Sequence, residues 1–502
     1  MRRARELGAM SLEHQAARGA LWTVISSMGG RAVGVLGTLA MTRFLHPDVI
    51  GEVSDATILC MTANWVTIWG FGQYTVVRGR GRDEREVTWH ATFAYVVLGA
   101  LSIGLVALFG GRLAPLLDAP HAAVYVPGMA LAVFIRRLAA MPERILTKRM
   151  SFRASGLALS LGELAYTVTA LALAATRVFP ARWAGMPIVL GNVVQSIVVV
   201  VIFVRAAGVR SWATPTPLSL ARFRDMLRFG LPLGAQGLAH QASRYWDNLA
   251  VSRYFGAAGV GVYNLAYNLA DIPAIQVGEQ IALVLLPSMA ELPRDRRAAA
   301  LERASALLSI IIFPLAIGLG LVSYPLIAAV LPAGTWQDVA PLLSVLAVLS
   351  VFRPISWVLS AYMEAEAKTG KLMFLELAKL GVLLGGIAVL APYGLHVASA
   401  AVGIAFGATA IAGVALVARE GPSPARLLVG FVQPLAACVV MAAAVWLVAR
   451  GLAAACITRP VAQLAAEIVV GAIAYVAAIF VFARERARDL LQLLGKALGR
   501  GQ

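Results

Sequence analysis

The sequence predicts an all-α polytopic membrane protein of roughly fourteen transmembrane helices, arranged as two pseudo-symmetric six-helix lobes plus two peripheral C-terminal helices. Composition is the first reason: 60% of the 502 residues are hydrophobic and 14% are charged, more apolar sequence than the interior of a soluble chain can hold. The distribution of that apolar sequence is the second, because it falls into runs of about 20 residues, the length a helix needs to cross the hydrocarbon core. An internal repeat is the third. Residues 18–56 return without a gap at residues 228–266, where Arg18, Leu21, Ala32, Leu39, Ala40, Arg43, Gly51 and Ala56 meet Arg228, Leu231, Ala242, Leu249, Ala250, Arg253, Gly261 and Ala266. Many secondary transporters are built from such duplications.

A basic cytoplasmic segment, residues 1–18, opens the chain. The first apolar run, 19–43, is too long for the core of a secretion signal and reads as an uncleaved first helix. Spans follow at 51–77, 87–110, 122–141, 154–176 and 183–204, completing an N-lobe over residues 19–205. A cytoplasmic linker, 206–227, leads to spans at 229–253, 259–287, 305–330, 338–361, 372–391 and 396–418, the C-lobe of residues 228–420. Both copies of the repeat start in the cytoplasm and run outward, so the lobes are parallel, related by an axis along the membrane normal. Two further runs, 427–449 and 462–482, lie outside the duplication and form the peripheral segment 421–483. The tail, 484–502, sets Leu490, Leu491, Leu494 and Leu498 at helical spacing among basic residues, the pattern of an interfacial helix on anionic lipid or of a short solvated helix.

Charge placement tests this layout. A net charge of +17 would suggest nucleic acid in a soluble chain. Here most Lys and Arg gather in alternate loops, from Arg2, Arg3 and Arg5, through Arg78 to Arg85 and Arg136 to Arg153, to Arg484, Arg486 and Arg488. That is the positive-inside bias, with both termini cytoplasmic and no nucleic-acid partner. The outer connections are short, leaving no room for a soluble enzyme module, and no catalytic residue is expected. Cys60, Cys438 and Cys456 sit in apolar stretches without disulfide or metal spacing, and neither a metal nor a cofactor is expected.

Ionisable residues at bilayer depth cost about 2.5–3.5 kcal/mol each on insertion scales, so they face a cavity or a partner. Arg31 lies about 13 residues into the first span, near the midplane at about 1.5 Å per residue. Gln236, His240, Arg244 and Asp247 share one face of the seventh span, the mark of a water-filled cavity, although Arg244 and Asp247 could equally form a self-contained pair. In the eighth span Asn264, Tyr267, Asn268 and Asp271 repeat the pattern, with Glu279 beyond and Pro273 between. A proline bend beside buried carboxylates suits an ion site or a moving element, and interhelical packing is the alternative. Glu163 lies within the fifth span and Asp55 in the outer part of the second. Glu376 and Lys379 form an i, i+3 pair in the eleventh span, read as structural, while Arg353 in the tenth either joins them or lines the inner mouth. Arg31, Arg244 and Arg353 together imply an anionic ligand, because guanidinium groups are forked donors suited to phosphate.

Three passages carry a family resemblance. They are Gly19-Ala20-Leu21-Trp22 leading to Thr42-Arg43-Phe44-Leu45-His46-Pro47-Asp48-Val49-Ile50-Gly51, then Phe229-Gly230-Leu231-Pro232, then Asp247-Asn248-Leu249-Ala250-Val251-Ser252-Arg253-Tyr254-Phe255-Gly256 with Gly261-Val262-Tyr263. With the span layout they resemble the oligosaccharide flippases, the polysaccharide transporter branch of the multidrug/oligosaccharidyl-lipid/polysaccharide exporter superfamily. The resemblance implies a V-shaped pair of lobes in the bacterial inner membrane, working by alternating access. It implies an undecaprenyl-diphosphate-linked oligosaccharide as substrate, for lipopolysaccharide, capsule or exopolysaccharide, with the polymerase and glycosyltransferases of that pathway as partners. On this reading Arg31, Gln236, His240, Arg244, Asp247 and Arg353 hold the diphosphate and sugar head. Asn264, Asn268, Asp271, Glu279, Glu163 and Asp55 serve coupling to Na+, H+ or the membrane potential. A cation-coupled multidrug exporter of the same superfamily is the alternative, which Asp271, Glu279 and Trp246 would suit but the arginines would oppose. A membrane-embedded glycan polymerase or ligase would need a larger outer loop.

Overall fold

The computed structural model describes residues 29–30, 32–79, 83–113, 115, 119, 121–149, 151–273, 292–366, 368–418, 422–457 and 459–497. Among them every regular element is helical, and ten helices are long and apolar enough to cross a membrane. The chain forms two compact units, residues 1–261 and 262–502.

The first unit holds α1 (Ala32–Met41), α2 (Pro47–Val66), α3 (Phe71–Arg78), α4 (Glu84–Leu113), α5 (Ala122–Leu138), α6 (Ala140–Lys148), α7 (Phe152–Thr176), α8 (Met186–Ala207) and residues 220–261 of α9 (Leu220–Pro273). Helix α9 is two helices merged across Gly256, whose φ of 67° only glycine adopts without strain. Helix α8 packs on both α5 and α7, and α2 and α4 pack on α5. Small residues on α1 and just before it admit polar ones from α7: Ser160, Glu163 and Thr167 lie against Gly30, Gly34 and Gly37, a contact typical of helices in lipid.

The second span, expected as one run over 51–77, is broken. Helix α2 stops at Val66 and α3 starts at Phe71, with Gly70 left-handed at φ 69°. A helix end at this depth leaves carbonyls and amides that lipid cannot satisfy. Arg137 of α5 takes the carbonyls of Asn64 (3.0 Å) and Thr67 (3.2 Å) and also donates to the Tyr95 carbonyl, while the Tyr95 hydroxyl accepts the Gly72 N–H at 2.8 Å. Arg137, counted from the sequence among the cytoplasmic charges Arg136 to Arg153, is therefore buried.

The linker is clasped rather than slack. Ser219 N–H donates to His90 Nε2 (2.8 Å), and Thr92 Oγ1 donates to the Trp212 carbonyl (2.9 Å). Arg222 pairs with Glu86 (3.2 Å) and Asp83 (3.5 Å), and the Tyr74 hydroxyl donates to Asp225. The Glu86 carboxylate holds the Arg222 guanidinium above its ordinary range, so the guanidinium stays charged at any physiological pH.

The second unit holds the rest of α9, then α10 (Arg294–Leu321), α11 (Ser323–Val330), α12 (Val339–Leu349), α13 (Arg353–Ala365), α14 (Thr369–Leu390), α15 (Leu395–Ala418), α16 (Pro424–Ala454), α17 (Pro460–Phe482) and α18 (Arg484–Ala497). Helices α10 and α16 face each other and α17 packs on α16, sharing a core of Phe313, Ala316, Cys438, Met441, Tyr475 and Ile479. Pro314 lies inside α10 and cannot bond the carbonyl four residues earlier. That carbonyl, of Ile310, accepts the Tyr475 hydroxyl at 2.7 Å. The tail helix α18 docks on this unit: Arg486 donates to Gln433 (2.9 Å) and Asp489 pairs with Arg303 (3.0 Å).

Tyr475→Phe leaves the Ile310 carbonyl buried without a donor, a loss of about 1–3 kcal/mol. Thermal unfolding of the detergent-solubilised variant should show a lower transition than the wild type. An unchanged transition would mean that another group satisfies this carbonyl.

Candidate functional site

In the second unit the distal part of α9 carries Asp271 one turn after Tyr267, and both are buried. Arg353 opens α13 beside Pro354 after the short 3-10 turn Ser350–Phe352, and proline at a helix start fixes the backbone for such an entry. The Arg353 guanidinium pairs with Asp271 and lies over the Tyr267 and Phe406 rings, at 4.8 Å and 5.0 Å from their centres. Phe406 also carries the Lys379 ammonium at 5.1 Å, and Lys379 pairs with Glu376 at 2.7 Å. The Glu376–Lys379 pair lines one small cavity with the hydroxyl-bearing Ser356, Ser360 and Thr409.

These two cations and two carboxylates form a neutral network around one aromatic ring. Burying an ion pair is tolerable in a low-dielectric interior, whereas one partner left alone costs about 3–5 kcal/mol. Arg353 and Asp271, given separate roles from the sequence, thus belong to one unit of charge. The Glu376–Lys379 pair is present as the i, i+3 spacing suggested. Phe406, Ser356, Ser360 and Thr409 did not stand out in the sequence, because single aromatic and hydroxyl residues in apolar helices carry no pattern of their own. In the same stretch of α9, Asn268 Nδ2 donates to Asn264 Oδ1, with Asn264 half-buried and Asn268 exposed.

In the first unit the stripe on residues 220–255 of α9 passes from exposed His240 to half-buried Arg244 and fully buried Asp247. Asp247 Oδ1 accepts the Asn248 N–H (2.9 Å) and Nδ2 (3.1 Å). Arg31, Glu279 and the side chain of Gln236 lie outside the described residues. Glu163 accepts Gln195 Nε2 at 2.8 Å.

Helices α2 and α9 run antiparallel along a seam that joins the two copies of the repeat. Trp246 Nε1 donates to Thr62 Oγ1 (3.1 Å), Trp65 and Tyr245 rings lie 5.2 Å apart, and Ser252 Oγ donates to Asp55 at 2.6 Å. At its end the repeat-matched glycines face each other's helix. A Cβ on Gly51 would overlap the Ala257 carbonyl oxygen, and one on Gly261 would overlap that of Pro47. Among the described residues no group of three His, Cys, Asp or Glu is placed to hold a metal ion.

Known proteins share both sequence and fold with this chain. The polysaccharide biosynthesis protein family matches residues 40–341. The lipopolysaccharide biosynthesis protein WzxC of Escherichia coli (strain K12) is 24% identical over 362 residues, 72% of this chain and 72% of its own. The succinoglycan biosynthesis transport protein ExoT of Rhizobium meliloti (strain 1021) is 26% identical over 65% of this chain and 64% of its own. Among solved structures, the lipid II flippase MurJ in an inward closed conformation superposes with a TM-score of 0.75 at 14% identity, over 93% of this chain and 99% of that one. An inward-facing multidrug resistance MATE family transporter gives a TM-score of 0.60 at 18% identity, over 79% and 97%. The fold is thus that of these transporters.

Two outcomes follow from the geometry. Asp271→Leu alone strands Arg353 and should lower the thermal transition strongly, by the equivalent of about 3–5 kcal/mol, while Asp271→Leu with Arg353→Met should recover most of the loss. A double variant as unstable as the single would show that the pair is not the unit described. Gly51→Ala should destabilise by about 1–3 kcal/mol or more through overpacking at the seam, read by the same measurement; a neutral effect would mean the crossing is loose.

Proposed function

The chain belongs to the polysaccharide biosynthesis protein family, and from that premise we propose that it is a flippase. Its cargo would be an oligosaccharide on undecaprenyl diphosphate, carried from the cytoplasmic to the outer leaflet of the bacterial inner membrane. The observation that carries this reading is the family match over residues 40–341, joined by relatives named for lipopolysaccharide biosynthesis and succinoglycan transport. The protein forms and breaks no covalent bond on this reading. Roughly fourteen spans with both termini in the cytoplasm, divided into lobes at 19–205 and 228–420, would provide alternating access.

The stripe on α9 supplies the chemistry for the head group. Arg244, with Arg31 of the first span, gives the permanent positive charge and paired donors that a diphosphate needs. His240 and Gln236 offer hydrogen bonds to sugar hydroxyls, and buried Asp247 exchanges its contacts as the ligand arrives. Arg353 plays another part. Held by Asp271, it keeps the interior of the second unit neutral, so this half does not trap the anion. Asp271, Glu279, Glu163 and Asp55 are the carboxylates through which a proton, Na+ or the membrane potential would bias the lobes. The lipid tail stays in the bilayer, and the polymerase and glycosyltransferases of the pathway act on either side of the step.

Arg244→Ala should abolish surface glycan while the protein remains at wild-type level in the membrane fraction, with lipid-linked oligosaccharide accumulating inside. Glycan labelling and lipid extraction from the same cells read both. Undiminished export by that variant would remove Arg244 from the mechanism.

A further inference from the structure

Asp55 and Glu163 are intramembrane carboxylates whose described partners include no cation, and Asp55 is the more deeply buried of the two. It is completely buried, one oxygen accepts the Ser252 hydroxyl at 2.6 Å, and the other is buried with no hydrogen-bond partner among the described residues. The charged neighbour that bears on it is the acidic Glu52, one turn earlier on α2. On α9 the charged residues flanking Ser252 are buried Asp247 and exposed Arg253. On α5 the titratable group of the adjoining apolar cluster is Tyr125, whose hydroxyl accepts the Gly185 N–H. An ionised carboxylate in such surroundings would be a buried charge without compensation, which proteins avoid by neutralising the group. A metal ion is poorly suited to supply that compensation, because one carboxylate oxygen and one hydroxyl fall well short of the oxygen shell that hard cations require.

We propose that Asp55 is a proton-binding site, occupied whenever α2 and α9 are packed together, so that the seam between the two repeat copies closes only with the proton in place. The burial of Asp55 is a property of the seam. The carboxyl lies one turn from the Gly51–Gly261 crossing, and its partner Ser252 belongs to the other copy of the repeat. When the helices part, water reaches the carboxyl, the proton passes to that water, and the ionised group opposes closure until it is protonated again. By linkage, whatever raises proton activity at the seam favours its closed form by the same factor that closure favours proton binding. The consequence for transport rests on the flippase reading; the protonation does not.

Infrared difference spectroscopy on the full-length protein in lipid nanodiscs tests this without substrate. The wild type at neutral pH should show a protonated-carboxyl stretch that is lost in Asp55→Asn. In Ser252→Ala the same band should persist but move to higher frequency, because one hydrogen bond to the carboxyl is gone. Loss of an ionised-carboxylate band in Asp55→Asn instead, an identical carboxyl region in wild type and Asp55→Asn, or an unmoved band in Ser252→Ala would overturn the assignment. A band that behaves as expected in a protein that moves no glycan lipid would leave the proton site standing and refute the flippase.

Discussion

A polar group carried into hydrocarbon has to be met by another group, and that requirement shapes most of what is specific about this molecule. The solutions seen differ in kind. Arg353 and Lys379 are met by carboxylates, Asp271 and Glu376, around the shared Phe406 ring. Arg137 is met by the carbonyls that the break between α2 and α3 sets free, so a charge and a helix defect satisfy each other. Glu163 is met by the Gln195 amide, and the Ile310 carbonyl, freed by Pro314, by the Tyr475 hydroxyl. Asp55 is met by a single hydroxyl, and the proposed proton would supply the rest.

The duplication explains where these solutions are allowed to differ. Gly51 and Gly261, identical in the two copies, form the crossing where each copy's helix touches the other's backbone. Such a contact is self-complementary and would be lost if either glycine gained a side chain. Positions that the copies do not share carry the chemistry. Gly34 and Gly37 of the first copy leave room for Glu163 and Thr167 of α7, whereas the matched positions of the second copy are Arg244 and Asp247. One ancestral helix face thus became a packing surface in one copy and a charged stripe in the other.

Much of this was legible in the sequence. Apolar runs predicted an all-helical membrane protein, and the motif passages around Gly51 and Asp247 pointed to the family to which the chain belongs. The Glu376–Lys379 pair followed from its spacing. Other features were hidden because they depend on tertiary neighbours. The break after Val66 had a local sign in Gly70 and Gly72, but its repair by Arg137 required knowing that α5 passes beside it. Arg353 could be recognised as buried without revealing that Asp271, 82 positions away by numbering, was its partner. The clasp of the linker by His90 and Thr92 lies on a helix that reads as simply apolar.

A neutral buried charge network in the second unit, a charged stripe on α9 and a carboxyl at the seam fit together in the proposed transport of an anion that is accepted, moved and released. The most direct test of that claim is reconstitution of the purified protein into vesicles carrying a fluorescent undecaprenyl-diphosphate-linked oligosaccharide, with leaflet transfer followed by a membrane-impermeant quencher. Transfer well above that of protein-free vesicles is expected, and none of a cationic dye. Vesicles that move the dye and leave the lipid-linked glycan in its original leaflet would contradict it.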